Sequence, residues 1–141
     1  MPLELESLEK AVTTLKAVLE KSQDAAFMDS LDAVARNAIR AGVIQHFAIV
    51  YELSWKFLKR WLERQVSATA VDGVTRRELF RQAAEQRLIA DVEQWMRYHF
   101  ARNLTSHTYE PAIADQVVAI TESFARDALT LLDTLKARND D

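Results

Sequence analysis

The sequence predicts an all-α protein, an antiparallel bundle of about five helices that forms a single domain over residues 1–141. The length of 141 residues is typical of one domain, and 49% of the residues are apolar, enough for a buried core. Only two Gly and two Pro occur, so the chain lacks the turn residues that a many-stranded protein needs. Apolar residues also recur at steps of three and four along most of the chain, which is the spacing of one helix face.

Two long helices are predicted in the first half of the chain. Residues 3–21 place six apolar side chains on one stripe: Leu5, Leu8, Val12, Leu15, Val18 and Leu19. The spacing is lost over residues 22–30, which we interpret as a connection with some helical character. A second helix then begins near Ser30 or Asp32, either of which can cap it, and ends near residue 65 or 66. Because such a helix is about 50 Å long, we expect it to bend or break, and Gly42 is the candidate position.

A third helix follows a loop over residues 67–74, where Asp and Gly occur together. Thr75 and Glu78 have the spacing of a capping box, in which each side chain accepts a hydrogen bond from the backbone of the other. The helix is therefore expected over residues 75–87.

The last two helices are predicted from their first residues. Asp91 and Gln94 again have the capping-box spacing, and the helix that they begin continues to residue 102 or 104. Pro111 suits the first turn of the final helix, because the backbone N–H groups of a first turn have no hydrogen-bond partner inside the helix and proline lacks that N–H. An apolar stripe extends that helix over residues 111–137, and an acidic tail follows it.

Charge and composition exclude several classes of protein. The formal net charge is −3 and the sequence pI is about 5.6, which argues against non-specific coating of nucleic acid but not against a local basic pocket. The absence of Cys excludes disulfides and thiolate metal sites. The acidic N-terminus does not resemble a secretory signal, and no apolar run approaches the roughly 18 residues that span a bilayer, so we expect a cytoplasmic protein with no membrane contact. The long apolar stripes further predict a homodimer.

Three histidines, His46, His99 and His107, are the side chains whose charge changes near neutral pH. His46 lies among apolar residues of the second helix, so we interpret it as a core or interface histidine. His99, on the fourth helix, is also interpreted as structural. His107 lies in a polar connection before the fifth helix, where side chains reach solvent and substrate.

Arg102 precedes His107 by five positions and can converge with it if the chain turns back where the fourth helix ends. Together they would form a minimal phosphodiester site, because a guanidinium neutralises phosphate oxygens and an imidazole transfers protons. The same residues could instead cap the last carbonyl groups of the helix, and the spacing alone favours that structural role.

The complete segment resembles the signature of a known superfamily. Arg102-Asn103-Leu104-Thr105-Ser106-His107-Thr108-Tyr109 is similar to the HEPN motif, an Arg followed after four to six residues by a His, in the form with a Tyr two positions later that is typical of HepT-like proteins. Residues 43–47 and 51–59 resemble the long second helix of the nucleotidyltransferase substrate-binding proteins of this superfamily. The resemblance also includes the predicted capping box and Trp95, and it covers most of the chain from about residue 32.

The resemblance implies a helical bundle that dimerises, with Arg102 and His107 of both protomers lining one cleft. Family members with an intact motif are metal-independent ribonucleases, and many are toxins paired with a small nucleotidyltransferase antitoxin. Arg102 would then stabilise the scissile phosphate, and His107 would act as general acid or base, with the 2′-hydroxyl of RNA as nucleophile. Asn103 and Ser106 would support them, and no metal or other cofactor would be required. Tyr109 would accept AMP from the transferase, which would block the cleft with bulk and negative charge.

Two other groups of residues have simpler interpretations. We expect Tyr51 and Trp55 to be core or interface aromatics and Glu52 to pair with Lys56 on the surface, although a groove for a nucleotide or partner at this position remains open. Three arginines of the third helix are interpreted as a solvated face: Arg76, Arg77 and Arg81.

The sequence supports three functions, in descending order of preference. The first is a HepT-like ribonuclease toxin that acts through Arg102 and His107 and is inhibited by AMP on Tyr109. The second is a non-catalytic subunit that presents substrate, or the tyrosine itself, to a separate nucleotidyltransferase. The third is a helical dimer that only binds or neutralises its partner. The chain is not itself the transferase, because it lacks the Gly-Ser loop and paired aspartates that hold nucleotide and metal.

Overall fold

The computed structural model describes residues 2–139, and within that range every regular element is helical. Its six α-helices are α1 (Glu6–Gln23), α2 (Ala25–Asp29), α3 (Ala33–Gln65), α4 (Arg76–Glu85), α5 (Val92–Leu104) and α6 (Pro111–Ala137). Short 3-10 turns lie at Ala68–Ala70 and Thr105–His107. The predicted all-α bundle is confirmed, with one short helix more than expected. The predicted acidic tail, Asp140 and Asp141, lies outside the described residues.

Side-chain caps begin three of the helices at the predicted residues. Asp32 accepts a hydrogen bond from the backbone N–H of Ala35 at 2.8 Å, which starts α3. Thr75 and Asp91 do the same for α4 and α5, each at 3.1 Å from an N–H three residues later. Each cap supplies an acceptor to an N–H group that has no partner inside its helix, which is worth about 1 kcal/mol.

The extra helix α2 lies in the segment that was predicted as a connection. Asp24 caps it by accepting from the N–H of Phe27 at 3.0 Å, and it ends after five residues. α1 begins at Glu6, three residues later than predicted. The segment before it is nevertheless fixed, because Leu3 and Asn139 exchange two hydrogen bonds of 2.7 and 2.9 Å that join it to the chain after α6.

The longest helix, α3, runs through Gly42 without a break, so the expectation of a break there is wrong. α1, α4, α5 and α6 all pack against α3, and this packing on several sides stabilises a helix of such length. A Cβ atom at Gly42 would meet Cγ2 of Val18 in α1 at 3.4 Å. The glycine therefore provides room for α1 to approach α3.

α4 ends at Glu85, two residues earlier than predicted, because Arg87 adopts a left-handed conformation with φ of 61°. The N–H of Arg87 donates to the carbonyl of Ala84 at 3.0 Å, and that of Leu88 donates to Ala83 at 2.9 Å. These two bonds form a Schellman motif, in which glycine is the usual left-handed residue. An arginine at that position gave no sequence signal for the helix end.

Aromatic rings from three helices form the centre of the core. Phe124 of α6 is fully buried, and its ring centroid lies 4.9 Å from those of Phe47 and Tyr98 and 5.9 Å from that of Trp95. Tyr51 of α3 packs beside the same ring at 6.5 Å. This cluster joins α3, α5 and α6 and so fixes the end of α5, where the motif begins. No helix formed by residues 2–139 is sufficiently long and apolar to cross a membrane.

Candidate functional site

The motif occupies the last turn of α5, the 3-10 turn at Thr105–His107 and the residues before α6. Hydroxyl groups satisfy the carbonyls at this helix end. The side chain of Thr105 donates to the carbonyl of Arg102 at 2.6 Å, and that of Ser106 donates to the carbonyl of Asn103 at 3.1 Å. Thr108 donates in the same way to the carbonyl of Thr105 at 3.3 Å. The capping role considered for Arg102 and His107 is thus performed by serine and threonine.

Arg102 is held by two neighbours. Its Nη1 donates to the hydroxyl of Thr105 at 2.9 Å, and its Nε lies 3.2 Å from Oε1 of Glu52 on α3. The angle at Nε does not allow a hydrogen bond, so this buried N–H has an ion-pair partner but no acceptor in line. Because 35% of the Arg102 side chain remains exposed, the guanidinium is both anchored and accessible.

Glu52 connects Arg102 to an aromatic platform. Its Oε2 accepts a hydrogen bond from the indole Nε1 of Trp55 at 3.0 Å, and the guanidinium of Arg76 stacks over the Trp55 ring at 3.7 Å. The expected pair between Glu52 and Lys56 is therefore wrong. Sequence spacing favoured Lys56 because it lies one helical turn away, whereas the actual partner comes from α5. Arg76 is likewise part of this packed group and not of a solvated face.

A second polar chain lies behind the platform. Nη1 of Arg76 donates to the hydroxyl of Tyr51 at 3.2 Å, and that hydroxyl lies 2.9 Å from Nδ1 of His99. Burial raises the pKa of Tyr51 to about 12, and burial followed by the charge of Arg76 lowers the pKa of His99. His99 therefore has the structural role that was predicted. Arg81 is exposed, as expected of a solvated face, and it forms ion pairs with Glu78 and Glu85, each at 2.6 Å.

His107 and Tyr109 lie on the exposed side of the motif. Their ring centroids are 6.2 Å apart in an edge-to-face arrangement, and 77% of Tyr109 is exposed. Asn103 and Ser106 are also exposed. The contacts of His107 go to Tyr109, whereas those of Arg102 go to Thr105 and Glu52, so the two proposed catalytic groups have separate surroundings within one chain.

An open cleft of about 930 Å³ lies between α3 and the start of α6, next to the motif. Four residues of the motif line it, namely Arg102, Thr105, Thr108 and Tyr109. The imidazole of His107 is not part of its wall. His46, a half-buried residue of α3, does not line it either. The cleft therefore brings the anchored arginine and the exposed tyrosine to one surface.

Residues 2–139 contain no group of three or more His, Asp or Glu side chains that could hold a metal ion. Metal-independent chemistry remains a prediction of the motif.

Comparison with known proteins gives one consistent result. Residues 3–137 match the family model described as nucleotidyltransferase substrate binding protein like. A protein of Haemophilus influenzae named as a probable ribonuclease HepT is 32% identical over 138 residues, which is 97% of this chain and 94% of the relative.

Two solved structures have the same fold. One, from Haemophilus influenzae, is described as the fold of a substrate binding domain of a nucleotidyltransferase; it has a TM-score of 0.91 and 30% identity over 94% of this chain and 99% of its own. The other, from Thermus thermophilus, has a TM-score of 0.71 and 26% identity over 92% of this chain and 98% of its own. With the family model covering almost the whole chain, this protein belongs to the nucleotidyltransferase substrate-binding-protein-like family, the HepT-like group that its motif indicated.

Proposed function

We propose that the chain is a HepT-like ribonuclease that cleaves RNA without a metal ion, using Arg102 and His107 in a cleft shared by two protomers. In this proposal it is a cytoplasmic toxin whose antitoxin is a small nucleotidyltransferase. The antitoxin adds AMP to Tyr109 and so blocks access to the cleft.

The observation that carries this proposal is the capping of the helix end by hydroxyl groups. Thr105 and Ser106 satisfy the carbonyls that Arg102 and His107 would otherwise serve. Arg102, whose guanidinium is anchored by Thr105 and Glu52 but partly exposed at the cleft, and the exposed His107 are therefore not needed as caps and are available to a substrate. A few polar groups placed beside a cleft are typical of functional sites.

The reaction needs a phosphate-binding cation and a proton-transfer group. His107 would take the proton of the 2′-hydroxyl, whose oxygen attacks the adjacent phosphorus, while Arg102 neutralises the charge that develops on the phosphate oxygens. The bond from phosphorus to the 5′-oxygen breaks, and that oxygen takes up the proton that His107 received from the 2′-hydroxyl. The products are a 2′,3′-cyclic phosphate and a 5′-hydroxyl, so the reaction consumes no water in this step.

Dimerisation would bring together Arg102 and His107, which have separate surroundings within a single chain. Phe100 of α5 is 55% exposed and does not line the cleft. A large exposed apolar side chain favours burial against another protein surface. In the proposed dimer, a symmetric contact brings His107 of one copy towards Arg102 of the other.

Cleavage of RNA by the purified protein in the presence of a chelator tests the proposal. Wild-type protein is expected to cut single-stranded RNA and leave cyclic phosphate ends, whereas Arg102→Ala and His107→Ala leave it intact. His46→Gln is the matched control, because it removes a histidine of α3 outside the cleft. Cleavage by His107→Ala at the wild-type rate would contradict the assigned mechanism.

Modification of Tyr109 is tested with the same assay after incubation with the partner transferase and ATP. AMP is expected on the wild-type protein, whose ribonuclease activity then falls, while Tyr109→Phe keeps its activity and acquires no label. If the transferase labels Tyr109 but the unlabelled protein never cuts RNA, the second candidate function is correct. The chain would then be a binding subunit that presents an acceptor tyrosine, a role that the exposure of Tyr109 also favours.

A further inference from the structure

The cleft beside the motif extends well beyond the residues that the motif supplies. One of its walls is the first half of α3, from Arg36 to Ile49, and the other is the beginning of α6, including Ala114 and Asp115. Arg102 lies at one end of this cleft. A ligand bound at Arg102 can therefore continue along α3 without leaving the cleft.

The charged groups of the cleft are mostly cationic, although the protein is acidic. Three arginines line it, Arg36, Arg40 and Arg102, against one carboxylate, that of Asp115. Glu52, which pairs with Arg102, reduces the surplus, so that the cleft retains one excess positive charge on a chain whose net charge is −3. A local reversal of charge of this kind attracts an anionic ligand to one place on the surface.

The three arginines lie at different levels along α3. Arg36 and Arg40 are one helical turn apart on α3, which corresponds to about 6 Å along the helix axis. Glu52, which holds Arg102, is about 18 Å further along the same axis from Arg40. A chain with one phosphate per residue can contact cations that are spaced in this way. A mononucleotide is too short to reach both ends.

We propose that Arg36 and Arg40 bind the phosphate backbone of single-stranded RNA on one side of the phosphate held by Arg102. This inference rests on the proposed ribonuclease function and adds the path of the substrate to it. Only a strand several nucleotides long reaches all three arginines, so these residues select RNA chains over small nucleotides.

The current partners of the two arginines permit this role. Arg40 pairs with Asp115, and the two side chains are 39% and 67% exposed. Exposed ion pairs contribute at most about 1 kcal/mol, so a phosphate can replace Asp115 at little cost. Nη1 of Arg36 donates to the carbonyl of Leu31 at 2.5 Å, which holds its side chain near the start of α3 and leaves its charge in the cleft.

The remainder of the cleft suits unpaired bases. Its wall includes apolar side chains of α3, such as Ile44 and Ile49, and the exposed ring of Tyr109. Unstacked bases bind aromatic and apolar surfaces, whereas a duplex keeps its bases stacked inside. The occupant that matches both features is a single strand.

Binding of a short fluorescein-labelled single-stranded RNA, measured by anisotropy over a range of salt concentrations, tests this path. All variants carry His107→Ala so that the RNA stays intact. Adding Arg40→Ala is expected to weaken binding about fivefold and to reduce the slope of log K against log salt by about 0.7. Asp115→Asn is expected to strengthen binding, because it removes the carboxylate that pairs with Arg40.

Arg126→Ala is the matched control, since Arg126 forms an exposed pair with Glu122 on α6 outside the cleft and its removal is expected to leave the slope unchanged. If the His107→Ala protein binds RNA but Arg40→Ala and Asp115→Asn bind it with unchanged slope and affinity, the path is wrong and the ribonuclease proposal stands. If Arg40→Ala converts a dimer to a monomer in gel filtration, the cleft is a subunit interface and the path is also wrong. Failure of both wild-type and His107→Ala proteins to bind RNA would overturn both proposals.

Discussion

Replacing Glu52 by Gln tests how Arg102 is positioned. Glu52 touches Arg102 through one oxygen, 3.2 Å from Nε, and Trp55 through the other, 3.0 Å from the indole nitrogen. Glutamine has nearly the same shape and its amide oxygen can still accept from Trp55. The substitution therefore removes the negative charge beside Arg102 and leaves the packing of the platform intact.

The size of the effect follows from the distance and the exposure. Opposite charges 3.2 Å apart attract by about 1 to 5 kcal/mol when the effective dielectric constant lies between that of water and that of a protein surface. Because both side chains are about one third exposed, solvent screening brings the value to the lower end, about 1 kcal/mol. If all of this energy orients the guanidinium for the transition state, kcat falls about fivefold.

The same substitution has an opposite effect on substrate binding. Glu52 repels the phosphate that Arg102 attracts, so its neutralisation lowers KM for RNA. Steady-state cleavage of a labelled RNA at fixed salt is expected to show both constants reduced in Glu52→Gln. Glu122→Gln, which loses an exposed carboxylate paired with Arg126, is expected to change neither. An unchanged kcat in Glu52→Gln, or a raised KM, would refute the positioning role.

Two further predictions concern the stability of the fold. Phe124→Ala is expected to reduce the free energy of unfolding in urea by about 3 to 5 kcal/mol, because it removes a fully buried ring at the centre of the aromatic cluster. Leu129→Ala, on the exposed side of α6, is the control and is expected to cost less than about 1 kcal/mol. A loss as small as this in Phe124→Ala would contradict the assigned core. Burial lowers the pKa of His99 in the folded protein, so the unfolded chain binds a proton at His99 more readily than the folded chain does. The free energy of unfolding therefore falls as the pH decreases through about 6.5, the usual pKa of histidine. His99→Gln can still bond to Tyr51 and is expected to flatten this dependence between about pH 8 and pH 5, and an unchanged slope would show that other groups cause it.

The sequence predicted those features of the fold that depend on neighbours along the chain. Thr75 and Asp91 were identified as caps from the residues three positions later, Asp32 was one of two candidates beside Ser30, and each of the three side chains accepts a capping hydrogen bond. The end of α4 was misplaced because Arg87 occupies a left-handed position that glycine usually marks. The short helix α2 was interpreted as a connection because five residues are too few to show a helical period.

The surroundings of the motif could not be predicted in the same way. Spacing rules compare residues of one helix, and for Glu52 they select Lys56, one turn away. The partner that the fold provides is Arg102, which is 50 positions later in the chain and comes close only because α5 packs against α3. The stacking of Arg76 on Trp55 has the same origin, since the two residues belong to α4 and α3.

The unbroken course of α3 has a consequence for both proposals. The second half of this helix holds Arg102 through Glu52, and the first half carries Arg36 and Arg40 along the cleft. A break at Gly42 would allow the two halves to move independently, and the three arginines would no longer keep fixed positions relative to one another. Continuous hydrogen bonding through Gly42 instead fixes the anchored arginine relative to the others. At Gly42, which the sequence indicated as a breaking point, α3 is continuous, and the absence of a side chain leaves room for Val18 of α1 on one side while α3 forms one wall of the cleft.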